Sequence, residues 1–134
     1  MAYQVIGVVG CGLMGTGIAQ VSAQSGYRTF VHDVDGETVR NGVRRIEDSL
    51  ETGVERGKFS AVVKDSAMSN LIGTTSLEKM SECDLVIEAV VEDLAAKQKV
   101  FSALESIVAK ETVFASNTSS LCIAEMAAAT SRPD

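Results

Sequence analysis

The sequence predicts an α/β domain: a doubly wound parallel sheet with a helical hairpin inserted after the second strand. Three observations carry this expectation. Short apolar runs of strand length alternate with longer stretches whose apolar residues recur every three or four positions. The first run, Val5 to Val9, leads directly into Gly10-Cys11-Gly12-Leu13-Met14-Gly15. A second run ends on His32-Asp33, placing an acid 18 residues beyond Gly15. Strands that alternate with helices pair in parallel through right-handed crossovers.

Residues 4–9 form the first strand and 13–25 the first helix, which Gly26 ends. Residues 28–33 form the second strand. Asp35 caps a long helix that begins near Gly36, and its stripe of Val39, Val43, Ile46, Leu50 and Val54 runs on toward Gly57. Residues 61–70 form a second helix folded back along the first, and an insertion of this size serves a ligand or a partner. Leu71-Ile72-Gly73 is a short third strand, and residues 85–89 are a strong fourth. Asp93 caps a helix whose stripe is Val100, Phe101, Leu104, Ile107 and Val108. Residues 113–116 form the fifth strand, Asn117-Thr118-Ser119-Ser120 follows, and the last helix covers 121–129. All 134 residues read as one domain, and Arg132-Pro133-Asp134 falls where such a domain ordinarily continues to another strand.

The glycine run is what a dinucleotide requires. Gly10 permits the strand-to-helix turn, Gly12 lets the backbone approach a pyrophosphate, and Gly15 lets the helix pack closely on the strand. The helix N-terminus, with Leu13 and Met14 in its first turn, offers open N–H groups and a positive dipole end to the phosphates. Asp33, at the tip of the second strand, suits the two hydroxyls of an adenosine ribose and repels a 2′-phosphate. The expected cofactor is therefore NAD rather than NADP.

Composition narrows the partners. No apolar run is long enough for a membrane span, and no basic-then-apolar leader opens the chain. Cys11, Cys83 and Cys122 form no CxxC and have no histidine at metal spacing, so no metal site is expected and a reducing, cytoplasmic compartment fits. Cys11 sits where a helix N-terminus could lower its pKa, or is a small residue tolerated between glycines. A net charge of −6 argues against nucleic acid. Residues 40–64 nevertheless hold six basic against four acidic side chains, net +2. That window suits a phosphorylated ligand, or a solvated helix face laced with pairs such as Arg44–Asp48.

Ligands of such sheets bind beyond the carboxyl ends of the strands. Glu88, Glu92 and Lys97 lie there at the fourth strand, and Asn117 to Ser120 at the fifth. Lys97 falls in the first turn of its helix, where the macrodipole disfavours a cation, so an anion is expected beside it: Asp93, Glu92 or a ligand. Ser119 or Ser120 either caps the last helix or hydrogen-bonds a reacting oxygen. His32, the sole histidine, sits beside the ribose acid and far from hydride chemistry, so it is no general base.

Three segments together resemble a known family: Gly10 to Gln20, Val86-Ile87-Glu88-Ala89-Val90-Val91-Glu92-Asp93, and Phe114-Ala115-Ser116-Asn117-Thr118-Ser119-Ser120-Leu121. The chain resembles, over its whole length, the Rossmann NAD-binding domain of L-3-hydroxyacyl-CoA dehydrogenases, including bacterial 3-hydroxybutyryl-CoA dehydrogenases. The resemblance implies that Glu92 and Lys97 contact NAD, and that Ser119 contacts both nicotinamide and the reacting oxygen of the substrate. It implies an acyl-CoA substrate, with Ser49 and a basic residue, Arg56 or Lys58, at the CoA. It further implies a histidine base just after the Arg-Pro-Asp segment, a glutamate partner, and an all-helical domain carrying a homodimer interface. The expected enzyme is an NAD-dependent oxidoreductase in which this chain holds cofactor but does not turn over. Two other functions fit the residues alone: a dehydrogenase of a free hydroxy acid or sugar acid, and a non-catalytic NAD-sensing module.

Overall fold

The computed structural model describes residues 3–132; Met1, Ala2 and the Pro133-Asp134 part of the terminal motif lie outside them. Five strands, β1 (Val5–Val9), β2 (Arg28–His32), β3 (Leu71–Thr74), β4 (Leu85–Glu88) and β5 (Val113–Ser116), form one sheet in the order β3-β2-β1-β4-β5. Every pairing is parallel, with Val8 between Val31 and Ile87, and Val9 between His32 and Glu88. The chain moves outward from β1 through β2 to β3, then returns to the other side of β1 for β4. The crevice between β1 and β4 is thus the switch point where such sheets bind ligands.

Side chains alternate across the strands and build two cores. On one face α1 (Leu13–Gln24), α2 (Gly36–Glu55) and α3 (Ala61–Asn70) cover Ile6, Val8 and Val31. On the other, α4 (Leu94–Glu105), α5 (Ile123–Ala127) and a 3₁₀ segment (Leu77–Glu82) cover Val9, Phe30 and Val86. The α2 stripe works as its spacing predicts: Val39, Ile46 and Leu50 are buried, each contributing about 1.5–3 kcal/mol. Asp35 accepts from the Thr38 amide at 3.0 Å to start this helix. It ends in a paired cap, Lys58 N–H to Gly53 O and Gly57 N–H to Val54 O, which places Gly57 at φ +71°.

Several boundaries differ from expectation. The second strand closes at His32, because Asp33 turns its carboxylate back to the Val34 amide. The last helix runs only Ile123–Ala127, since Thr118 Oγ1 takes the Leu121 amide and holds the preceding residues as a turn. The 3₁₀ segment was not expected; six residues carry no periodic stripe. The Arg44–Asp48 pair is not formed among the described residues. The basic window instead makes one ion pair between helices, Lys64 to Glu51.

Candidate functional site

The glycine turn sits at the switch point. Gly10 has φ +120°, and a Cβ there would stand 2.5 Å from the Ala89 carbonyl oxygen, so the β1 and β4 ends approach more closely than any side chain allows. A Cβ at Gly15 would overlap the Gly10 carbonyl oxygen, which keeps α1 seated on its own turn. No side chain caps α1 at Gly12, which leaves the first-turn N–H groups without a side-chain partner. Beside them Leu13 and Met14 are exposed, as are Val34 past the end of β2 and Val91 past the end of β4; apolar groups in this position suit cover by a ligand.

Asp33 closes the turn. Its Oδ2 accepts from the Cys11 amide at 3.1 Å and its Oδ1 from the Val34 amide at 2.8 Å, so the carboxylate is oriented while keeping lone pairs for further donors. The same carboxylate disposes of a redox role for Cys11. Burial, then the Asp33 charge, pushes that thiol up to about 11, the opposite of helix-terminus activation. Gly42 of α2 packs against Cys11 and Thr16, which is the small-residue explanation.

At the ends of β4 and β5 the structure joins residues that the sequence left separate. Glu88 is fully buried and Lys97 is 2 % exposed. Lys97 Nζ lies 2.5 Å from Glu88 Oε2 and 3.4 Å from Glu92 Oε1. Glu88 also accepts from the Val90 amide at 2.7 Å and the Ser116 hydroxyl at 2.6 Å. The anion opposite Lys97 is therefore chiefly Glu88, with Glu92 second, and not Asp93, which caps α4 by accepting from Ala96 at 3.0 Å. Glu92 reaches on to the next loop, accepting from Thr118 Oγ1 at 2.8 Å and Ser120 Oγ at 3.5 Å. The Thr118 bond, then Lys97, holds its carboxyl below the usual glutamate range.

Ser119 stands between the two Glu92-bound residues and is exposed, with no hydrogen bond from its hydroxyl among the described residues. Neither Ser119 nor Ser120 caps the last helix, whose N-cap is Cys122. Thus Asp33 is tied to the turn that holds Gly10, Gly12, Leu13, Met14 and Gly15, while Glu92, Lys97 and Ser119 belong to the network past the ends of β4 and β5. Ser49 and Arg56 are exposed on α2 and at its C-cap, two turns apart on one face. Among the described residues no hydrogen bond or ion pair connects them to Ser119.

Glu88 was the residue whose role sequence reasoning missed. The signal was present: Lys97, Phe101, Leu104 and Val108 follow one inward stripe, and Glu88 shares the inward face of β4 with Val86. Two opposite charges at inward positions of neighbouring elements predict one another. His32 is buried beside Asp33, and burial lowers its pKa. The glycine turn, open helix terminus and oriented Asp33 fit a dinucleotide.

The sequence model described as "3-hydroxyacyl-CoA dehydrogenase, NAD binding domain" matches residues 5–134. A 3-hydroxybutyryl-CoA dehydrogenase of Mycobacterium tuberculosis is 45 % identical over 133 residues, 98 % of this chain and 46 % of that protein. The crystal structure of M. tuberculosis FadB2 superposes with a TM-score of 0.97 at 45 % identity, covering 99 % of this chain and 47 % of that one. A (S)-3-hydroxybutyryl-CoA dehydrogenase, PaaH1 from Ralstonia eutropha, gives 0.95 at 36 % identity, covering 98 % and 47 %. This chain spans about half the length of the curated relatives it matches. It belongs to the 3-hydroxyacyl-CoA dehydrogenase family, as an NAD binding domain of that family.

Proposed function

We propose that this chain is the cofactor-holding part of an oxidoreductase that interconverts L-3-hydroxyacyl-CoA and 3-ketoacyl-CoA. The observation that carries the proposal is the exposed Ser119, held between two hydroxyl residues that Glu92 clamps, on the same sheet end as the glycine turn. Gly10, Gly12, Leu13, Met14 and Gly15 would hold the pyrophosphate and Asp33 the adenosine ribose. Glu92 would border the nicotinamide end. Lys97, being buried, acts by fixing Glu92 and Glu88 rather than by reaching outward. When bound, NAD supplies the hydride acceptor. Ser119 donates to the substrate oxygen and orients it. Ser49 and Arg56, with Lys58, offer hydroxyl and cationic groups to CoA along the exposed α2 face. Cytoplasmic location, which rests on the cysteine usage, and a homodimeric assembly, which rests on the family resemblance, belong to the same proposal. Among the described residues, no helix is long and apolar enough to cross a membrane.

The only histidine is buried beside Asp33, so among the described residues no imidazole is placed to take the hydroxyl proton. The expected result is that the purified chain binds NAD and CoA but catalyses negligible 3-ketoacyl-CoA-dependent NADH oxidation. Ready turnover contradicts that division of labour. CoA binding unaffected by Arg56→Ala with Lys58→Ala contradicts the α2 assignment.

A further inference from the structure

Past the ends of β4 and β5, two carboxylates hold one loop. Glu88 is fully buried, and its Oε1 accepts from the Ser116 hydroxyl at 2.6 Å. A carboxylate only accepts, so this bond takes the single Ser116 proton and leaves the Oγ lone pairs for other donors. The Thr118 amide donates to that Oγ at 3.2 Å. From the other side Glu92 accepts from the Thr118 hydroxyl at 2.8 Å, and Thr118 Oγ1 in turn accepts from the Leu121 amide at 3.1 Å. Lys97 lies against both carboxylates, 2.5 Å from Glu88 and 3.4 Å from Glu92. Two relays therefore leave one ammonium and converge on Thr118, the first through Glu88 and Ser116 to its amide, the second through Glu92 to its hydroxyl. Ser119 follows at once. It is exposed, and among the described residues neither its amide nor its hydroxyl has a hydrogen-bond partner of its own. What places Ser119 is the hold on its neighbours.

We propose that Ser116 is a positioning residue for Ser119: by carrying the buried Glu88 charge to the Thr118 amide, it fixes the backbone from which the Ser119 hydroxyl meets the nicotinamide and the reacting oxygen. The inference rests on the reading above, in which Ser119 contacts both. The Glu92 bond holds Thr118 through a side chain that turns about χ1, whereas the Ser116 bond holds the peptide itself. The group at 116 must donate to a carboxylate and accept from an amide at once; threonine can do both and alanine neither. Small displacements of an orienting group weaken its contacts steeply, so a loop held at one point instead of two loses the nicotinamide end of the cofactor first.

The test titrates this 134-residue chain with NADH, whose dihydronicotinamide fluoresces, and with ADP-ribose, which lacks the nicotinamide, in the wild type, Ser116→Ala and Ser116→Thr. The wild type is expected to bind NADH more tightly than ADP-ribose. Ser116→Ala should weaken NADH about three- to tenfold, the worth of one hydrogen bond, and leave ADP-ribose within about twofold. Ser116→Thr should return NADH to within about twofold of the wild type. A merely structural role for Ser116 would weaken both ligands together. That result would overturn the proposal, as would equal wild-type affinities, NADH binding untouched in Ser116→Ala, or no recovery in Ser116→Thr. Failure of both ligands to bind the wild type would instead remove the NAD reading beneath it. A second measurement needs no variant. In wild-type hydrogen exchange the Thr118 amide should be protected about tenfold over that of Ser119, which has no acceptor; equal rates contradict the relay.

Discussion

Replacing Lys97 by methionine tests the electrostatic centre of the site. The substitution keeps most of the side-chain volume and removes the ammonium that lies 2.5 Å from Glu88 Oε2. Glu88 is fully buried, so its carboxylate would keep only the Val90 amide and the Ser116 hydroxyl as donors. Removing one partner of a buried pair costs about 3–5 kcal/mol, since the remaining charge is left uncompensated. Against a total stability of about 5–15 kcal/mol, that is a large share. With a urea m-value near 2 kcal/mol/M, the unfolding midpoint should fall by about 2 M. The double variant Glu88→Gln, Lys97→Met should recover most of the loss, because it removes both charges together. A loss below about 1 kcal/mol for Lys97→Met, the range of an exposed ion pair, would refute the buried-pair account. Simple additivity in the double variant would refute it as well.

Two further outcomes follow from the geometry. Gly15→Ala drives a methyl into the Gly10 carbonyl oxygen and should cost about 1–3 kcal/mol, lowering the melting temperature by roughly 5–10 °C; an unchanged melting temperature contradicts the close helix seat. His32 has a folded pKa below its ordinary 6.5, chiefly from burial, so the unfolded chain takes up this proton first. Its contribution is fully present above pH 6.5 and is lost as pH falls from there through the folded value. Urea midpoints should therefore decline across that window in the wild type and less in His32→Gln. The carboxylates held below their ordinary values, Asp35, Asp84, Glu92 and Glu105, act at lower pH. Parallel curves for the two proteins would contradict the burial of the ring.

The parts of the site that are local in sequence were legible in it. Gly10 to Gly15 encode a turn whose conformation depends on neighbours within a few residues, and Asp35 and Asp93 cap the helices they precede. The doubly wound parallel sheet was legible too, because strands alternating with helices pair in parallel through right-handed crossovers, whereas the strand order came from the structure. What stayed hidden depends on side chains meeting across elements. Glu88, nine residues before Lys97, lies on a strand, and their pairing emerges only when β4 and α4 pack. Glu92 was legible as a polar residue at a strand end, yet its grip on Thr118 and Ser120 spans from β4 to the loop after β5.

In the proposed function the glycine turn and Asp33 together hold NAD. Calorimetry of the wild type and Asp33→Ala with NAD and NADP tests it most directly. The wild type is expected to bind NAD and discriminate against NADP, and Asp33→Ala to weaken NAD by about ten- to a hundredfold, the worth of charge-assisted hydrogen bonds, while narrowing the gap to NADP. Equal wild-type affinity for the two cofactors, or NAD binding untouched by Asp33→Ala, would contradict it.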